Sequence, residues 1–90
     1  MSAAKFHLGR LLATPSALQS IPTDEMLAAL RRHTVGDWGQ MTGHDWEANE
    51  LALTDRSRLF SVYRSTQGVK FWIITEADRS ATTVLLPEDY

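Results

Sequence analysis

The sequence predicts an α+β domain in which N-terminal helices pack on a C-terminal three- to four-stranded antiparallel sheet. Residues 58–90 hold runs of β-branched, aromatic and aliphatic side chains separated by short polar breaks, the pattern of an antiparallel meander. Thr14-Pro15, Thr23 and Thr42 each carry the marks of a helix start. Helices first and strands afterwards is the order of a two-layer α+β fold. The 90 residues contain no internal repeat and no linker, so residues 1–90 form a single domain.

Lys5 to Ala13 reads as a short strand, with Phe6, Leu8, Leu11 and Leu12 as its apolar content and Gly9 as its weak point. Thr14 then offers a capping hydroxyl and Pro15 a preset first helical residue, but Pro22 cuts this helix short. Thr23 caps a second helix. Asp24 and Glu25 lie in its first turn, Arg31 and Arg32 near its end, Met26, Leu27 and Leu30 along its buried stripe, and Gly36 stops it. Thr42-Gly43-His44-Asp45 matches a capping box and opens a third helix running to about Thr54. Trp46 and Leu53 share one face of that helix, widened by Ala48, Leu51 and Ala52. Strands follow over residues 58–64, 69–76 and 81–87. In the middle one, Val69, Phe71, Ile73 and Thr75 share one face, and Lys70, Trp72, Ile74 and Glu76 the other. Both faces carry large apolar groups, so both need cover, from a second layer or a partner chain.

Composition narrows the function classes. The chain is 43% hydrophobic and 22% charged, with three Trp, three Phe and two Tyr, which is a folding sequence and not a disordered one. A net charge of -2 is too weak for a strongly basic nucleic-acid binder or an acidic mimic of DNA. With no cysteine there is no disulfide framework, thiolate zinc site or cysteine nucleophile. No apolar run approaches a membrane span, and residues 1–18 do not read as a signal peptide, so a cytoplasmic location is expected. His7, His33 and His44 lack the spacing of a metal motif, and no cofactor loop is present: neither a metal nor a cofactor is expected.

A scattered pattern links several of these features: His33-x-x-Gly36-Asp37-Trp38-Gly39, Asn49, and Arg58-Leu59 with Ser61 and Tyr63. It continues in Trp72-Ile73-Ile74-Thr75-Glu76-Ala77-Asp78-Arg79-Ser80, Thr82-Thr83 and Leu85-Leu86-Pro87. Over residues 6–90 it resembles a family of small plasmid- and mobile-element-borne bacterial proteins, labelled "plasmid-related" or as the modification subunit of type I restriction enzymes. The family has no settled activity. The resemblance implies carriage on mobile DNA, where small proteins counter host defence or assist plasmid maintenance. The restriction label does not transfer, because a methyltransferase needs a doubly wound sheet and a cofactor loop for which this chain is too short.

Two turns stand out as sites. Thr75–Ser80 concentrates Glu76, Asp78 and Arg79 with hydroxyls, which suits bidentate pairing with a partner or simply internal capping of the turn. Gly36-Asp37-Trp38-Gly39 forms an aromatic-tipped turn whose Trp38 serves either as an interface anchor or as core. The leading expectation joins them into one partner-facing edge of Asp37, Trp38, Glu76, Asp78 and Arg79, without catalytic residues. The function expected is a non-enzymatic protein-binding module of a mobile element. It would act as an inhibitor or accessory of a host defence complex, of CRISPR or restriction type, or of a nucleoprotein complex, as a monomer or small homo-oligomer. The alternative is a small metal-independent ribonuclease using a histidine with Arg31, Arg32 or Arg79. A plain nucleic-acid-binding module, drawing on Arg31, Arg32, Arg56, Arg58 and Arg64, ranks below both.

Overall fold

The computed structural model describes residues 3–90. In chain order the elements are β1 (Arg10–Ala13), α1 (Pro15–Ser20), α2 (Thr23–Thr34), α3 (Gly43–Asp55), β2 (Leu59–Arg64), β3 (Lys70–Thr75) and β4 (Ala81–Leu85), then a 3-10 turn over Pro87–Asp89. The sheet order is β1-β4-β3-β2. The expected meander β2-β3-β4 is antiparallel, with Val62 opposite Trp72 and Ile73 opposite Val84. The sheet as a whole is nevertheless mixed and not antiparallel throughout, because β1 joins β4 in parallel, Leu12 opposite Thr83. A hairpin forces antiparallel pairing, but β1 and β4 are joined through the helices and the rest of the sheet, which lifts that constraint.

The helices begin where capping chemistry places them. Thr14 accepts a hydrogen bond from the Ala17 amide, with Pro15 in the first turn. Thr42 likewise accepts from the Asp45 amide. Thr23 differs: it is the first helical residue, the cap is Pro22, and no side chain caps this end. Helix α2 ends at Thr34, with Gly36 at a φ of +83° just beyond.

Helices α1 and α2 cover one face of the sheet. Ala17, Ile21, Met26, Ala29 and Leu30 meet Tyr63, Phe71, Ile73 and Val84 there in the main core. The buried stripe of α2 is therefore Met26, Ala29, Leu30 and His33, while Leu27 turns outward. Helix α3 lies along the outer edge of β2. A second cluster forms beneath it from Trp38, Ala52 and Leu59, with Phe6, Met41, Trp46 and Leu53 packed around them.

That edge is closed in an unusual way. The Asn49 side chain, from α3, donates to the Phe60 carbonyl (2.7 Å) and accepts from the Phe60 amide (3.0 Å), as a neighbouring strand would. The Val62 amide donates to the Trp38 carbonyl (3.1 Å), and the Gln40 amide donates to the Val62 carbonyl (2.7 Å). Gly39 makes this approach possible. Its φ is +78°, and a Cβ there would fall 2.0 Å from the Val62 carbonyl oxygen.

Candidate functional site

The two turns expected to form an edge do not meet: Gly36–Gly39 lies beside Val62 and Tyr63, the Glu76–Ser80 turn follows Thr75 at the Leu59 end of β2, and Phe6 lies between Trp38 and Arg79. Its ring stacks on Trp38 at 6.2 Å, and the Arg79 guanidinium lies 5.7 Å from its centroid. Trp38 is fully buried, its Nε1–H donating to Glu50 (2.9 Å). The expectation of an exposed Trp38 anchor is thereby corrected: a domain this small has few large rings for its core, and the second cluster uses this one. Asp37 is held by Arg32 (2.7 Å), whose guanidinium hydrogen bond keeps the carboxyl below the usual carboxylate range. Its main-chain carbonyl accepts from Tyr63 (2.5 Å).

Arg79 donates to the carbonyls of Ser57 (2.7 Å), Ala52 (2.9 Å), Glu76 (3.1 Å) and Ala77 (3.3 Å), so it ties the end of α3 to the β3–β4 turn. Glu76 faces Arg58 at 3.5 Å. Asp78 accepts from the Ser80 amide, and hydrogen bonds from Ser80 keep its carboxyl low. Of the five expected contact residues, Asp78 is exposed, the Asp37 and Glu76 side chains are 42% and 45% exposed, Arg79 is half-buried and Trp38 is buried. The chemistry concentrated in these turns thus serves mainly to fasten them.

Sequence reasoning missed a buried polar chain at the centre of the fold. His33 has no exposed surface; Nδ1 lies 2.5 Å from the Ser61 hydroxyl and Nε2 2.9 Å from the Thr75 hydroxyl. Thr75 in turn lies 2.7 Å from Thr82, whose hydroxyl donates to the Leu8 carbonyl (2.7 Å). A carbonyl can only accept, so the donors are determined from that end as far as the His33 Nε2–H. Thr82 spends its proton on Leu8 and accepts from Thr75. Thr75 accepts from His33 Nε2–H. Burial and, secondarily, the charge of Arg79 lower the pKa of His33 to about 3, so at neutral pH it is the neutral Nε2–H tautomer and Nδ1 accepts from Ser61. A Ser61–His33 pair invites a catalytic reading, but neither residue has exposed surface to meet a substrate. Only the spacing of His33 from Met26 and Leu30 on α2 hinted at this burial. His44 is exposed in the first turn of α3, and His7 is exposed in the segment before β1.

The accessible surface worth attention lies elsewhere. Among the described residues no α-helix covers the second face of the sheet, which meets only the C-terminal 3-10 turn and Tyr90. Phe60 packs on Trp72 at 4.8 Å and Trp72 on Tyr90 at 5.7 Å, so this layer covers itself. Ile74, between its register partners Phe60 and Thr83, is only 4% exposed. Beside Phe60 a groove of about 630 Å³ runs along α3, lined by Met41, Ala48 and Leu51 with Asp45, Asp55 and Arg58 at its rim. Leu51, expected to widen the buried side of α3, is 67% exposed there.

No three histidine, aspartate or glutamate side chains gather as a metal site among the described residues, and no helix there is long and apolar enough to cross a membrane. No family model matches the chain, and neither a curated protein nor a solved structure matches it.

Proposed function

We propose that this chain is a non-enzymatic protein-binding module that docks through the second face of its sheet and the adjoining groove along α3. One observation carries the reading: Leu51, Met41 and Phe60 line the groove, and Phe60, Trp72 and Tyr90 continue it as a row of rings, with Arg58 lying over Tyr90. A monomer gains nothing from Leu51 in water, and surfaces of this kind, apolar and aromatic with a polar rim, are what protein interfaces use. The fitting partner offers an apolar helix or strand face flanked by basic groups that meet Asp45 and Asp55. The resemblance to plasmid-borne proteins supports a host defence or nucleoprotein complex as that partner.

The test is capture from bacterial lysate, with and without nuclease, by wild type, Leu51→Glu and a control on α1, Gln19→Glu. A partner that survives nuclease, persists with Gln19→Glu and is lost with Leu51→Glu supports the proposal. Equal capture by wild type and Leu51→Glu, with both folded, refutes it, as does a partner that vanishes on nuclease treatment. Light scattering on the same proteins identifies a second copy of the chain as the occupant if wild type dimerises and Leu51→Glu does not.

The ribonuclease reading keeps one observation, that His7 lines a cleft with Arg56 and Arg79. A single histidine provides one proton-transfer group where cleavage uses both an acid and a base.

A further inference from the structure

Beneath the C-terminal end of α3, a cleft of about 340 Å³ is lined by Lys5, His7, Arg56 and Arg79 together with Phe6. Three separate segments supply these groups: the chain before β1, the residue after α3, and the β3–β4 turn. Among the described residues no carboxylate lines the cleft, in a protein whose net charge is -2. The two ion pairs among the described residues are Arg32–Asp37 and Arg58–Glu76, so neither Lys5, Arg56 nor Arg79 has a carboxylate within pairing distance. Asp55, next to Arg56 in sequence, accepts from the Ser57 amide and hydroxyl and lines the groove on the other side of α3, although its charge still acts on Arg79.

Backbone geometry gives an independent sign. Arg56 and Arg79 are the only non-glycine residues with positive φ among those described, at 63° and 62°, and both border this cleft. Left-handed backbone costs a side-chain-bearing residue roughly 1–2 kcal/mol, and the position ending a helix is where glycine ordinarily relieves that cost. For Arg79 the carbonyls it binds explain the side chain. Among the described residues no side chain or carbonyl bonds the Arg56 guanidinium: its amide, not its side chain, completes the helix end by donating to the Ala52 carbonyl.

We propose that this cleft binds a phosphate group, with Arg56 and His7 as its ligands, Lys5 joining them by swinging from its place against Gly36, and Arg79 as a fixed positive charge behind them. Guanidinium forks match phosphate oxygens, and unneutralised cations converging from three segments leave a place for an anion. The volume lies at the small end of ligand pockets, enough for a phosphate and part of its carrier. Phe6 is already engaged by Trp38 and Arg79, so the cleft offers no free ring for base stacking. It reads charge, not base identity. This inference does not depend on the protein-binding face.

The experiment titrates ¹⁵N-labelled full-length protein at constant ionic strength with inorganic phosphate, a 5′-mononucleotide and a short single-stranded RNA. Saturable shifts at the amides of Lys5, His7, Arg56 and Arg79 are expected with all three. Arg56→Gly, which relieves the backbone, should weaken binding about fivefold or more while the melting temperature holds or rises. Should that variant fail to fold, Lys5→Gln combined with His7→Gln must show the same loss. Equal affinity for the three probes identifies a simple phosphate site, and RNA binding about tenfold tighter identifies a polynucleotide backbone as the source. Absence of saturation with every probe, shifts confined to other surfaces, or undiminished binding by a folded variant overturns the proposal.

Discussion

Acid should weaken this fold through His33 well before its carboxylates titrate. In the folded protein burial and the charge of Arg79 hold His33 neutral to about pH 3, whereas the unfolded chain protonates it near its ordinary value of 6.5. Between those values the unfolded state binds the extra proton, so stability present above pH 6.5 is lost as pH falls. The slope is about 1.4 kcal/mol per pH unit, and roughly 5 kcal/mol is gone by the time the folded imidazole titrates. That is comparable to the whole stability of a marginal small domain. The assay is urea unfolding followed by tryptophan fluorescence from pH 7.5 to 4.5, comparing wild type with His33→Gln. Glutamine keeps a donor and an acceptor for Thr75 and Ser61, and it removes the titration. Wild type should lose about 2 kcal/mol more than the variant between pH 6.5 and 5. Parallel curves would refute the reasoning, as would an imidazole in the folded protein that titrates near 6.5 by NMR.

Two further outcomes follow from the packing. Trp38→Ala empties the centre of the second cluster and should cost about 3–5 kcal/mol, read as a fall of more than about 10 °C in melting temperature. Asn49→Ala leaves the amide and carbonyl of Phe60 without their partners and should cost about 2–3 kcal/mol, with faster hydrogen exchange at the Phe60 amide as the local signature.

Local chemistry made much of the fold legible. The hydroxyls of Thr14 and Thr42 cap helices because the pattern that reveals a cap is contained within a few residues, and the β2-β3-β4 meander follows from alternation and short breaks. Parallel β1 was not legible, because its partner β4 lies at the far end of the sequence and no local signal sets its direction. The same distance hid the polar chain: Ser61, Thr75 and Thr82 look like ordinary strand hydroxyls until three strands and α2 bring them to His33. Trp38 and Arg79 were recognisable as unusual, but residue type cannot tell a ring aimed at a partner from one aimed at Phe6. Arg56 gave no signal in the sequence, since its left-handed backbone appears only in three dimensions.

The two borders of the sheet are unequal, and this fixes how far the ladder can grow. On β1, the amides of Arg10 and Thr14 bond inward to β4, which turns the main-chain groups of Leu11 and Ala13 outward. Leu11 is 52% exposed there and Leu12 45%. The β2 border offers no such opening, because the Asn49 amide and the chain through Gly39 already occupy it. A head-to-tail fibre needs a donor edge and an acceptor edge on every copy, and this molecule has a valence of one. Edge pairing through β1 therefore ends at two copies. Asn49 and the chain through Gly39 together act as the chain terminator: losing Asn49 would free only the main-chain groups of Phe60, while Val62 would stay paired with Trp38 and Gln40.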